Sequence, residues 1–153
     1  MTENNNKSYL KLLRFSGEEL YPIEKATWHF YEDEDNENEN AVWLEIGCES
    51  GIQLAEDTKE LDQQPYWELT IRKKNLQKSD LTAGFRCETE YDIEESLFQY
   101  CECEETEDTS VEILDREGSR ILFRIEGEVT DVNYYDGSKP ANKIIVEAWF
   151  DED

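Results

Sequence analysis

The sequence predicts an all-β fold, either a mostly antiparallel β-sandwich or a strongly bent sheet, with about nine short strands and at most one or two short helices. Residues 111–129 carry the clearest signal, because apolar and polar side chains alternate on both sides of a break that contains Gly118. Residues 144–150 repeat that alternation. Other short segments alternate in the same way at fairly even spacing, and none shows a long helical period.

The N-terminal half supplies three predicted strands. An acidic, low-complexity loop over residues 32–40 separates the second strand from the third, which predicts a hairpin. Residues 16–20 are expected to form one helical turn, which ends before Pro22 because proline cannot continue a helix. The three strands comprise residues 9–15, 26–31 and 42–48.

The C-terminal half supplies the remaining strands. A short helix is expected over residues 54–61, where the spacing of Leu54, Thr58 and Leu61 permits one, and Pro65 ends that region. A long loop over residues 132–142 precedes the last strand. The strands comprise residues 66–72, 85–91 and 97–103, the two arms of the 111–129 hairpin, and residues 144–150.

The chain of 153 residues is long enough for one hydrophobic core. We expect a disordered tail over residues 1–7 and a single β domain over residues 8–153. The 39 acidic residues outnumber the 15 basic ones and give a formal net charge of -24 at pH 7. Such a charge is typical of disorder where aromatic residues are scarce, but this chain has 4 Trp, 8 Tyr and 6 Phe. The sequence therefore predicts a folded domain that carries its charge outside.

The N-terminus has no apolar stretch of the kind a signal peptide needs, and no later run is long enough to span a membrane, so a cytoplasmic location is expected. Cysteines in that compartment stay reduced. The four cysteines occupy apolar-alternating positions and are interpreted as small buried hydrophobes: Cys48, Cys87, Cys101 and Cys103.

Acidic residues are concentrated in two tracts that contain no Lys or Arg. The first, residues 26–58, holds ten acids, and the second, residues 87–115, holds twelve, which together make 22 of the 39. Carboxylates gathered in this way repel one another, so the tracts indicate either a merely solvated surface or a surface for a basic partner.

Aromatic residues lie among these acids and favour the second interpretation. Trp43 neighbours Glu45 on one strand face, and Tyr100 shares a predicted face with Glu102 and Glu104. Aromatic anchors inside a charged rim are typical of protein interfaces. The alternative is that these rings fill a second face of the core. The predicted partner-binding residues are Glu32, Asp33, Glu34, Asp35, Glu37, Trp43, Glu45, Tyr100, Glu102 and Glu104.

Catalytic and metal-binding patterns are weak. The single histidine, His29, is more simply a surface or partly buried side chain, and the sequence has no nucleophile elbow, phosphate loop or zinc-protease motif. No enzyme activity, cofactor or metal site is therefore expected. A calcium loop with Asp131, Asn133 and Asp136 as ligands remains an alternative, although its spacing departs from the usual pattern.

These observations together predict a non-catalytic acidic binding protein that docks on a basic protein. The expected partner is a toxin, nuclease or nucleic-acid-binding protein. This chain would neutralise it as an inhibitor, an immunity protein or a nucleic-acid mimic. Direct nucleic-acid binding is disfavoured, because such affinity comes mainly from Lys and Arg. The alternatives are a calcium-dependent or carbohydrate-binding β-sandwich and a structural subunit of a larger assembly.

Overall fold

The computed structural model describes residues 8–33, 35, 39–89 and 91–153. These residues form one ten-stranded sheet in the order β5-β8-β9-β10-β1-β2-β3-β4-β6-β7, which confirms the all-β prediction. The predicted tail over residues 1–7 lies outside the described residues. The strands are β1 (Tyr9–Arg14), β2 (Gly17–Tyr31), β3 (Ala41–Cys48), β4 (Tyr66–Arg72), β5 (Arg86–Glu88), β6 (Ile93–Tyr100), β7 (Glu102–Glu105), β8 (Glu107–Glu117), β9 (Arg120–Val129) and β10 (Asn142–Glu152).

Strand β2 is the element that folds the sheet back on itself. Its first part, through Pro22, pairs with β1, and its second part, from Ile23, pairs with β3. The register shifts between Ile23 and Lys25, and an irregularity of this kind bends a strand. Proline has no N–H to give to a ladder, so Pro22 fits the point where the pairing partner changes.

The bend produces two layers with an apolar interior between them. One layer contains β5, β8, β9, β10 and β1, and the other contains β3, β4, β6 and β7. Trp28, Trp67 and Phe123 are among the largest fully buried side chains. The indole N–H of Trp28 donates to the carbonyl of Ser119 at 2.8 Å, which ties β2 to the β8–β9 turn. The inward face of each strand is apolar because alternate residues point to the same side of a sheet.

The C-terminal strands follow the sequence prediction closely. Strands β8 and β9 form an antiparallel hairpin whose turn contains Gly118 at φ +62°, a conformation that glycine adopts readily. Strand β10 lies beside β9 in antiparallel register from Asn142 to Phe150. The predicted β2–β3 hairpin is also present. The expected short helix over 54–61 is a 3₁₀ helix, Glu56–Leu61, and a second 3₁₀ turn spans Lys78–Asp80.

Two local predictions are wrong. Residues 17–20 belong to β2 and not to a helical turn, because their backbone pairs with residues 11–14 of β1. The predicted strand 97–103 is two strands, since Cys101 takes a left-handed conformation at φ +65° and reverses the chain into β7. That turn leaves Cys101 and Cys103 exposed, whereas Cys48 and Cys87 are buried as expected. Burial raises the pKa of the Cys48 thiol to about 12.

No described helix has the length and apolar character needed to cross a bilayer.

The two layers come close together at Gly127 on β9. A Cβ atom at this position would lie 3.1 Å from Cζ2 of Trp67 and 3.2 Å from Oγ1 of Thr109. Gly127→Ala is therefore expected to lower the free energy of unfolding by about 1–3 kcal/mol, as overpacking of a core does. Urea denaturation of the purified protein measures this change.

Gly47→Ala on β3 is the matched control, because its new Cβ would meet nothing closer than 3.7 Å. We expect this variant to be neutral or slightly stabilising, since it only reduces the freedom of the unfolded chain. Equal losses for the two variants would contradict the close approach of the layers at Gly127.

Candidate protein-docking site

The outward side chains of β2, β3, β4 and β6 form a continuous surface. Strand register places His29, Trp43, Thr70 and Glu95 in one row across the four strands, and Thr27, Glu45, Glu68 and Leu97 in the next. These side chains point away from the core because the intervening residues are buried. We call this surface the Trp43 face and define it by Tyr31, Trp43, Glu45, Glu68 and Glu95.

Trp43 lines an open hollow on this face. The indole is half-buried, and its neighbours around the hollow are Tyr31, Ala41, Thr70 and Arg72. Tyr31 is 49% exposed and packs edge-on against His29, with ring centroids 4.3 Å apart. Two aromatic rings held on adjacent rigid strands and open to solvent are the kind of side chain that anchors a protein interface.

Glu45 is the most constrained carboxylate of the Trp43 face. It accepts from the ammonium of Lys25 at 2.8 Å and from the hydroxyl of Tyr66, which also donates to Glu68 at 3.3 Å. Burial alone would raise the pKa of Glu45, but the hydrogen bonds from Lys25 and Tyr66 lower that pKa below its usual value. Glu45 therefore stays ionised, and part of its charge is balanced by Lys25.

The acidic β2–β3 loop adjoins this face. Glu32 and Asp35 are exposed, and Asp33 is half-buried. The loop is held at its base by Asn40, whose side chain accepts from the N–H of Asp33 at 2.9 Å and donates to the carbonyl of Leu76 at 3.0 Å. Glu34 and Glu37, also predicted to bind the partner, lie outside the described residues.

Arg72 links the two acidic tracts at this end of the sheet. Its guanidinium donates to the carboxylate of Glu94, in the second tract, and to the carbonyl of Glu39, in the first. Glu95 lies on the Trp43 face in the row of Trp43 itself. The beginning of the second tract therefore lies next to the acidic loop.

The rest of the predicted partner-binding residues, Tyr100, Glu102 and Glu104, do not lie on the Trp43 face, so their assignment to one docking surface with Trp43 and Glu45 is wrong. Tyr100 is only 5% exposed, and its hydroxyl donates to buried Glu19 at 2.7 Å. Glu102 pairs with Tyr100 and Glu104 with Phe98, so both acids lie on the same side of the sheet as these two buried rings, the inner side of edge strand β7. They lie at the opposite end of the sheet from the acidic loop. The alternative interpretation, a ring that belongs to the core, applies to Tyr100.

The residues of the calcium alternative are otherwise engaged. Asp131 is fully buried and accepts two hydrogen bonds from Arg14, at 2.8 Å from Nε and 2.7 Å from Nη2. Asp136 accepts from the N–H of Ser138 at 2.9 Å, and Asn133 donates to the carbonyl of Asp57 at 3.0 Å. Among the described residues, no group of three or more His, Cys, Asp or Glu is placed to hold a metal ion. The alternative gains no support from this geometry.

Arg14 is the centre of a buried charge network that the sequence analysis missed. Its guanidinium also donates to Asp57 at 2.7 and 3.0 Å and to Glu19 at 3.1 Å, so one cation meets three carboxylates. Burial of the guanidinium lowers the pKa of Arg14, but the hydrogen bonds that it donates to Asp131 and Asp57 outweigh burial and raise this pKa above its usual value. The alternation of side chains along β1 could have revealed the buried position of Arg14, because it follows Leu10 and Leu12 on the inner side of the strand.

Both carboxylate oxygens of Glu19 have hydrogen-bond partners, although no part of its side chain is exposed. The hydroxyls of Tyr21 and Tyr100 each donate to Oε1 at 2.7 Å, and Thr58 donates to Oε2 at 2.6 Å. Buried charges need this kind of complete pairing. The network joins the β1–β2 hairpin, the 3₁₀ helix Glu56–Leu61 and the loop after β9, so it fixes one end of the molecule.

Removing the guanidinium leaves the carboxylates without their cation. Arg14→Met is therefore expected to lower the free energy of unfolding by about 3–5 kcal/mol, the usual cost of breaking a buried ion pair. The matched control is Arg124→Met, because Arg124 binds Glu126 at 2.9 Å and Glu147 at 3.1 Å on the outside of the sheet. Arg124→Met is expected to lower the free energy of unfolding by only about 0–1 kcal/mol. Similar urea midpoints for both variants would refute a stabilising role for the network.

Comparisons with protein-family models, curated proteins and solved structures find no match to this chain.

Proposed function

We propose that this chain is a non-catalytic acidic binding protein that docks on a basic protein through the Trp43 face. The observation that carries the proposal is the half-exposed pair of rings, Tyr31 and Trp43, on rigid strands directly beside the acidic β2–β3 loop. The formal charge of -24 adds a strong negative field around the whole molecule. A cationic surface with an apolar side chain that fits the hollow between these rings complements both features.

The charge and the rings act at different stages of binding. The field attracts a basic protein from a distance and raises the association rate, while exposed Glu95 and half-buried Glu68 meet its Lys and Arg side chains. Desolvation of Trp43 and Tyr31 at the centre of the contact slows dissociation. The acids are thus expected to control association and the rings dissociation.

The partner class that fits is a cationic toxin, nuclease or nucleic-acid-binding protein. Proteins that handle nucleic acid carry Lys and Arg in their binding clefts, because phosphates supply most of the affinity. Carboxylates on neighbouring strands, such as Glu68 on β4 and Glu95 on β6, present negative charge to such a cleft. The chain would act as an inhibitor, an immunity protein or a nucleic-acid mimic by covering the cleft.

The test begins with capture of partners from a cell extract of the native organism at low salt, identified by mass spectrometry. Binding of the captured protein is then measured by surface plasmon resonance. We expect the association rate to fall at least about tenfold between about 50 mM and about 500 mM salt, because screening removes the steering field. Trp43→Ala is expected to weaken affinity about 30-fold, mainly through faster dissociation.

Trp149→Ala is the matched control, because Trp149 is a half-buried indole on β10, in the other layer, where Arg120 covers its ring. It is expected to bind normally. Equal losses of affinity in both tryptophan variants would place the interface elsewhere. An association rate that does not change with salt concentration would contradict the electrostatic part of the proposal. Self-association of the purified chain at low salt, with no captured basic protein, would favour an assembly subunit instead.

A further inference from the structure

Cations of this chain lie over the rings of two of its four tryptophans. The ring centroid of Trp28 lies 5.6 Å from Nζ of Lys78 and 5.4 Å from Cζ of Arg116. Cζ of Arg120 lies 5.3 Å from the ring centroid of Trp149. A cation is attracted to the face of an indole because the π electrons make that face negative. Indole faces in this protein thus serve as positions for Lys and Arg side chains.

Trp43 differs from the other three tryptophans. Among the residues that the structure describes, no Lys or Arg lies over its ring and no aromatic ring packs on it. Its indole is half-buried, whereas that of Trp67 is fully buried in the core. Arg72 lines the same hollow, but its guanidinium binds the carboxylate of Glu94 and the carbonyl of Glu39. The Trp43 indole is therefore open to a cation from another molecule.

Carboxylates lie on three sides of this indole. Glu45 is two residues further along the same face of β3, Glu68 pairs with Glu45 from β4, and Glu95 lies beyond Thr70 in the row of Trp43. Within the part of the chain that the structure describes, neither Glu68 nor Glu95 forms an ion pair with a Lys or Arg. The surroundings of Trp43 thus carry negative charge that a bound cation would offset.

We propose that the hollow beside Trp43 receives an arginine side chain of the basic partner. The planar guanidinium stacks on the indole and directs its N–H groups toward the surrounding carboxylates, while its hydrocarbon stem contacts Tyr31. The hollow encloses about 570 Å³ including its open mouth, so one long side chain enters it without disturbing the core. A lysine ammonium is compact and strongly hydrated, and therefore gains less from an indole face. This inference rests on the proposed function, because it names the partner side chain that the Trp43 face holds.

The test titrates the full, isotopically labelled chain with N-acetyl-arginine amide at low salt and follows the indole N–H resonances by NMR. We expect saturable binding that shifts the Trp43 indole most. N-acetyl-citrulline amide has the same length and a planar end but no charge, and is expected to bind at least about tenfold more weakly. N-acetyl-lysine amide is expected to bind at least about threefold more weakly. The Trp149 indole is the internal control and is expected to move little, because Arg120 already covers its ring.

Two variants separate the contribution of the ring from that of the charge. Trp43→Leu keeps an apolar side chain and removes the π face, so the arginine amide is expected to lose its effect on the backbone amides of Tyr31 and Thr70. Glu95→Gln is expected to weaken binding about threefold, because it removes an exposed carboxylate near the ring. Glu147→Gln is the matched control, since it removes an exposed carboxylate from β10 in the other layer, and it is expected to leave binding unchanged.

An unmoved Trp43 indole, equal binding of the citrulline or lysine amide, an equal response of Trp149, or equal effects at positions 95 and 147 would overturn the arginine assignment. These failures are distinct from failure of the proposed function. A captured partner that is weakened by Trp43→Ala, with no response of the indole to arginine amide, would keep the docking surface and remove the arginine. A captured partner that Trp43→Ala does not weaken would remove the docking surface itself.

Discussion

The bend of β2 is the constraint on which the rest of the structure depends. Because one strand pairs with β1 before Pro22 and with β3 after it, a single sheet becomes two layers that cover each other. The inner sides bury Trp28 and Trp67, and the outer side of the second layer is left to solvent. The Trp43 face follows from this arrangement, because it is the outer side of the second layer.

The charged side chains of the interior and those of the surface differ in how completely they are paired. The buried carboxylates of Glu19 and Asp131 are fully paired around Arg14, as the low dielectric of an interior demands. Outside, Arg72 and Lys25 balance a few acids, and the remaining excess stays in solvent. This excess of negative charge opposes a compact fold, because the carboxylates repel one another. The Arg14 network at one end of the molecule and the packed aromatic core offset that repulsion. The surface charge is thus available to attract a cationic protein.

The strands with clean alternation, β8, β9 and β10, could be predicted from the sequence, because each has one apolar and one largely polar side. The turn at Cys101 could not, since a left-handed cysteine has no sequence signature. Alternation correctly puts Tyr100 and Glu102 on one side, but it does not reveal that this is the inner side, which the burial of Tyr100 shows. Trp43 and Glu45 were placed correctly on the outside by period two. A cleft between the layers is lined by residues far apart in the chain, such as Glu104 and Asn142, and local sequence patterns do not reveal such a placement.

Chemical-shift mapping of the isotopically labelled chain with its captured basic partner tests the central claim most directly. The account predicts that the largest changes fall on the Trp43 indole and on the amides of Tyr31, Thr70 and Glu95, with small changes along β9 and β10. A footprint centred on β9 and β10, with the Trp43 indole unmoved, would contradict the claim that the outer side of the second layer is the docking surface.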